Sequence, residues 1–96
     1  MKTKTGIELI QEERERQMKE KGWTLEFDQQ WINNELPNAA ICYLVEPDLR
    51  DASAFQFPET WDIKWWKPSP EDRIRELVKA GAMVAAEIDR LQNLEK

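Results

Sequence analysis

Flat aromatic rings interleaved with cations are the residues of this chain best suited to chemistry. Trp61, Trp65 and Trp66 lie in the tract Trp61-Asp-Ile-Lys-Trp-Trp-Lys-Pro68, and Trp23 follows Gly22. An indole face beside an ammonium or guanidinium can stack on a planar ring while the cation reaches a phosphate. On this reading Arg16, Trp23, Trp65, Trp66 and Lys67 bind the ligand, helped by Arg73 or Arg75 and by the backbone donors at the start of the last helix. Glu71 and Asp72 occupy that helix end and repel an anion. The same rings can instead seal a small core. Trp65 and Trp66 point in different directions in almost any backbone conformation, so one can fill the interior while the other lines a surface. Trp23 divides in the same way. It is either one wall of a nucleotide pocket with Arg16, or a ring packed back on its own helix, with Asp28 capping the next helix or pairing with Arg16.

Carboxylates form a second constellation. Glu12 and Glu15 lie three apart on one helix, Glu35 opens a second and Glu76 sits near the start of the last. Converging, they would hold magnesium through oxygen ligands. As isolated acids they are solvent contacts, and Glu76 and Glu87 project away from the centre of the last helix's apolar stripe. No residue is assigned a catalytic role, and no metal or cofactor is assigned. The chain has no histidine and three glycines, so imidazole catalysis, the usual zinc sites and a glycine-rich phosphate loop are excluded.

The chain reads as one domain spanning residues 1–96, a length at which a single core is marginal and a second subunit often makes up the deficit. A homo-oligomer is expected. The formal charge of −5 argues against binding nucleic acid as a polymer. No apolar run reaches the roughly 18 residues of a membrane span, and the single Cys42 lies in an apolar run as a buried thiol. A cytoplasmic protein is expected, in its own cell or in a host.

Thr5-Gly-Ile-Glu8 has capping-box form and opens a helix over about Gly6 to Lys21, which Gly22 stops. A second helical pattern begins near Asp28 or Trp31 and ends before Pro47. Pro37 predicts either a kink or two short pieces, with Asn34 capping the second. Glu46 to Pro68 reads as a long ordered aromatic loop, with Phe55-Gln-Phe57 its one strand candidate. Ser69-Pro-Glu-Asp72 then caps and opens the last helix. Its apolar face is Ile74, Leu77, Val78, Gly81, Val84, Ala85, Ile88 and Leu91, and the uncharged Ala80–Ala86 stretch should be wrapped by neighbours. The fold class is mainly α: three to four helices, the first and last packed on the short middle helix, beneath the loop between the middle and last helices.

Ile7-Glu-Leu-Ile-Gln-Glu-Glu-Arg-Glu-Arg-Gln17, Gly22-Trp23-Thr24, Asp28, Trp65-Trp-Lys-Pro68, Leu77-Val-Lys-Ala-Gly-Ala82 and Ala86-Glu-Ile-Asp-Arg-Leu91 together resemble a family of short, mostly uncharacterised bacteriophage and prophage proteins. The resemblance covers nearly the whole chain and implies a viral setting. Two shorter likenesses suggest a ligand. Gly22-Trp23 and Pro70-Glu-Asp-Arg73 are similar to the ryanodine-receptor repeat domain, whose bacterial versions are suspected binders of nucleotide signals. Glu12 and Glu15 resemble the first acidic pair of MazG-like nucleotide pyrophosphohydrolases, whereas Glu87 and Asp89 depart from the second. The leading expectation is a phage-type protein that captures a nucleotide-like small molecule, such as a host immune signal, without turnover. The alternatives are a MazG-like magnesium-dependent pyrophosphohydrolase and an acidic protein inhibitor of a host enzyme.

Overall fold

The computed structural model describes residues 3–50 and 57–94. Helix α1 (Gly6–Glu20) opens on the expected reciprocal cap: the Thr5 hydroxyl accepts from the Glu8 amide at 3.2 Å, and the Glu8 carboxylate accepts from the Thr5 amide at 2.8 Å. Lys21 closes the helix, and Gly22 turns the chain at φ +72°, a left-handed conformation open to a residue without a Cβ.

Helix α2 (Leu25–Asp28) is one turn long and is capped by Thr24, whose hydroxyl accepts from the Phe27 amide. Helix α3 (Glu35–Leu44) follows. Pro37 therefore resolves as two pieces without a kink, because it stands in the first turn of α3, where a missing N–H loses no intrahelical bond. Asn34 occupies the cap position but makes no side-chain capping bond. It sits at φ +62°, a left-handed corner that asparagine tolerates, while the Glu35 carboxylate accepts from the Asn33 amide at 2.7 Å.

Short 3-10 turns at Pro47–Leu49 and Ile63–Trp65 punctuate the connection to α4 (Arg73–Leu94). Apart from Phe57, the strand candidate Phe55-Gln-Phe57 lies outside the described residues. Ser69 does not cap α4 as expected. Ser69 to Asp72 form a turn closed by the Asp72 amide on the Ser69 carbonyl at 2.8 Å, and the Asp72 carboxylate caps the helix by accepting from the Arg75 amide at 3.1 Å. The Ser69 amide is drawn instead to Glu76 at 3.0 Å. Among the described residues the structure is helices and turns, so the fold is mainly α.

The hub is α4 rather than the middle helix: α3, α1 and α2 each pack on α4. Its orientation reverses the expected one. Ile74, Leu77, Val84, Ile88 and Leu91 are exposed, while Ala80, Ala82, Met83 and Ala86 are buried together with Glu76, Glu87 and Arg90. Only Val78 of the predicted apolar face is buried. Small residues let α3 approach closely, and Leu36, Ala39, Ala40 and Tyr43 meet α4 there. The acids and arginines tolerate burial because they pair: Arg90 donates to Glu87 at 2.8 Å and 3.0 Å. Where α1 meets α4, a Cβ on Gly81 would lie 2.5 Å from Ile10 Cδ1, so the glycine makes room for α1. Cys42 is buried, as expected. No helix among the described residues is long and apolar enough to cross a membrane.

Candidate functional site

Arg16, Trp23, Trp65 and Lys67 line one narrow cleft, joined by Lys21, Tyr43, Lys79, Glu13, Gln17 and Met83; its enclosed volume is about 40 Å³. The local sequence explains the convergence. Gly22 turns the chain just after α1, so the Trp23 amide folds back onto the Gln17 carbonyl at 3.1 Å, and Arg14 holds the Trp23 carbonyl at 2.9 Å. Trp23 is thereby fixed near Arg16 and Lys21. On the other wall, the Tyr43 hydroxyl accepts from the Lys67 amide at 3.0 Å and donates to the Trp65 carbonyl at 3.4 Å. Lys79 donates to the Lys67 carbonyl at 2.8 Å and lies 5.5 Å from the centre of the Tyr43 ring, a cation–π distance. Helices α3 and α4 thus clamp the Trp65–Lys67 segment by its backbone and leave the Lys67 side chain exposed.

The cleft is electrostatically uneven. Contact with the Lys67 ammonium lowers the pKa of Lys21. Burial lowers Lys79, and the Arg75, Arg16 and Lys67 charges add to the effect. Glu13 gives partial compensation at the floor. Arg16 forks onto it with two bonds of 2.9 Å, Arg75 reaches it at 2.7 Å and Gln17 donates at 3.1 Å. Burial pushes the Glu13 carboxyl up, but the two arginines outweigh it and hold the group below the usual carboxylate range. Burial also raises the Tyr43 hydroxyl.

The tryptophans serve as core and wall together. Trp31 and Trp61 are buried, while Trp23 and Trp65 are partly buried and pack on them, with ring centroids 5.6 Å apart for Trp23–Trp65 and 5.4 Å for Trp61–Trp65. Trp66 is not part of the cleft. It turns the other way, 4.7 Å from the Tyr43 ring and 5.8 Å from Phe57, with the Arg50 guanidinium 5.4 Å from its centre. Arg73 and Arg75 are not free to meet a phosphate at the start of α4, because Arg73 binds α3 carbonyls and Arg75 binds Glu13. Asp28 neither caps α3 nor pairs with Arg16. It ends α2 and faces Arg14 at 3.5 Å.

The acidic constellation is dispersed. Glu12 pairs with Lys4 at 2.7 Å on an exposed face, Glu15 is exposed, Glu35 accepts from Asn33 and Thr60, and Glu76 is taken by Arg50 and Arg73. Among the described residues no three His, Cys, Asp or Glu side chains come together as metal ligands.

Sequence spacing does not mark Lys21, Tyr43 and Lys79 as cleft residues. Lys79 does leave a trace, being the one charge between Leu77 and Glu87 in an otherwise apolar stretch. Lys21 borders the glycine stop, and Tyr43 reads only as core. Compared with known proteins, the chain matches no family model, no curated sequence and no solved structure.

Proposed function

We propose that this chain captures a small nucleotide-like anion, with the phosphate against Lys21, Lys67 and Lys79, the base across the accessible parts of Trp23 and Trp65, and Arg16, held on Glu13, adding its charge from the wall of the cleft. The observation that carries this reading is the convergence of four cations, from three separate stretches of the chain, beside two indoles, in a chain whose formal charge is −5. Like charges gathered at one place are relieved when an anion arrives, which favours binding there. A volume of about 40 Å³ suits a phosphate group rather than a ring, so the base remains at the mouth. A lining of cations, indoles, a hydrogen-bonded tyrosine and an already paired carboxylate suits binding without turnover. A bacteriophage setting, with a host immune nucleotide as the ligand and the host cytoplasm as its place, accords with the sequence resemblances.

The test joins mass spectrometry of the small molecules released on denaturing the purified chain with calorimetric titration of mono-, di- and cyclic nucleotides. A stoichiometric, unmodified nucleotide is expected. Lys67→Glu should weaken its binding at least tenfold, on the order of 1.4 kcal/mol, at unchanged Tm. Trp66→Ala should lower Tm and leave the affinity of the folded protein unchanged. The reading fails if no nucleotide is released or bound, or if Lys67→Glu binds as the parent does.

A further inference from the structure

We infer that the outward face of α4 is a self-docking surface, on which a second copy of this chain packs antiparallel across a two-fold axis. The face stands apart from the cleft and does not depend on a ligand there. Ile74, Leu77, Gly81, Val84, Ile88 and Leu91 follow one another at intervals of three, four, three, four and three, which is the a/d spacing of a helix-pairing seam. Their side chains point to solvent: Ile74 is 67% exposed, and Leu77, Val84, Ile88 and Leu91 are each 44–50% exposed. No charged residue interrupts the row, which runs about 26 Å at the rise of an α-helix.

Three features select a second copy as the occupant. The spacing is a palindrome about a point between Ala82 and Met83, so an antiparallel pairing sets Ile74 opposite the partner copy's Leu91, Leu77 opposite Ile88, and Gly81 opposite Val84. At the axis Val84 of each copy meets Gly81 together with the Ile10 side chain that covers it, and larger aliphatic pairs flank that contact on both sides. The face further lacks the tryptophan, tyrosine or arginine anchors on which recognition of an unrelated partner usually concentrates. Ile10 of α1 lies against Gly81 and fills the seam where the glycine has no side chain.

The extent is consistent with a dimer. The five exposed side chains present on the order of 400 Å² of apolar surface, at the upper end of what a monomer leaves uncovered and about half of what each partner contributes to a standard interface. Surrounding polar surface supplies the remainder as a rim.

The test is the mass of the full chain in solution, by light scattering or sedimentation over a wide concentration range. A dimer is expected for the parent. Leu77→Glu and Val84→Glu each replace an already accessible side chain, so both should give monomers with unchanged helical circular dichroism. The double variant Leu77→Cys/Ile88→Cys should form a disulfide-linked dimer under mild oxidation, and neither single variant should do so. A parent that stays monomeric throughout leaves this face to a different protein and overturns the proposal. So do glutamate variants that remain dimeric, and so does efficient cross-linking of the single Leu77→Cys variant, which would signify parallel pairing.

Discussion

Glu76 and Asp28 are almost equally hidden from water, at 0% and 2% exposure, yet their surroundings push them in opposite directions. Glu76 is met by three donors: Arg50 at 2.8 Å, Arg73 at 3.1 Å and the Ser69 amide at 3.0 Å. Burial raises its pKa, but these donors outweigh burial and hold it below the usual carboxylate range. The same two arginines also hold the end of α3, Arg50 by the Cys42 and Tyr43 carbonyls and Arg73 by the Tyr43, Leu44 and Val45 carbonyls. One carboxylate therefore organises the last turn of α3, the first turn of α4 and the loop before it. Asp28 has fewer partners. Arg14 stands 3.5 Å from it, and among the described residues its Oδ2 has no hydrogen-bond partner, as is also true of the buried Arg14 Nε. Burial then dominates, opposed only in part by Arg14 and Trp31, and the Asp28 pKa rises to about 6. Burial alone does not set the cost of an interior carboxylate; the number of donors aimed at it does.

Removing the better-satisfied acid should be the most damaging change. Glu76→Ala leaves two arginines with α3 carbonyls but no anion, and is expected to cost about 3–5 kcal/mol by urea denaturation at neutral pH, the usual penalty for unpairing a buried charge. A loss below about 1 kcal/mol would mean that Arg50 and Arg73 are sustained by the carbonyls alone. The underserved acid should respond in the opposite sense. Its folded pKa of about 6 lies above the ordinary aspartate value of 3.8, so its protonated form favours the fold below about pH 4 and that contribution is lost as pH rises from there through 6. Asp28→Asn mimics the protonated form, and should raise stability at pH 8 by up to about 3 kcal/mol while changing little at pH 4. Glu13 and Glu76, both held below 4.5, act the other way: their contribution is present above 4.5 and lost as pH falls through their folded values. The parent protein should therefore be most stable near pH 4.5 and lose stability as pH rises from there through 6, and that alkaline limb should flatten in the variant. Destabilisation of Asp28→Asn at pH 8 would show that Arg14 needs the charge more than the core rejects it.

The same contrast explains what could be read from the sequence. The capping box at Thr5, the stop at Gly22 and the two-piece reading around Pro37 depend on residues within one turn of each other, and the structure has all three. The inward face of α4 depends on partners far along the chain. Ile74, Leu77, Val84, Ile88 and Leu91 form the obvious apolar stripe, but Arg50 and Arg73 draw Glu76 inward, and the aromatic cluster of Trp31, Trp61 and Tyr43 takes the small residues Ala80 and Ala86. Periodicity reports which residues share a face and is silent on which face a neutralised charge can occupy. The cleft was legible to the same degree. Arg16, Trp23, Trp65 and Lys67 do meet, whereas Trp66 turns away, since the direction of each ring depends on the Tyr43 clamp, a contact more than twenty residues away in sequence.

Glu13 lies between Glu76 and Asp28 in the quality of its partners. It is 3% exposed and accepts from Arg16, Arg75 and Gln17, but both arginines reach it from surface positions, with about a third of each side chain exposed. Arg75→Ala removes one donor and leaves the two-bond fork from Arg16 and the amide of Gln17. Redundant donors should absorb the loss, so the expected cost is about 0.5–1 kcal/mol, reduced further by salt because water screens the exposed partner. The Glu13 pKa should move upward, shifting the acid limb of the stability profile toward higher pH. If the cost instead approached that of Glu76→Ala, donor number would not be the controlling quantity, and the geometry of each individual donor would have to take its place.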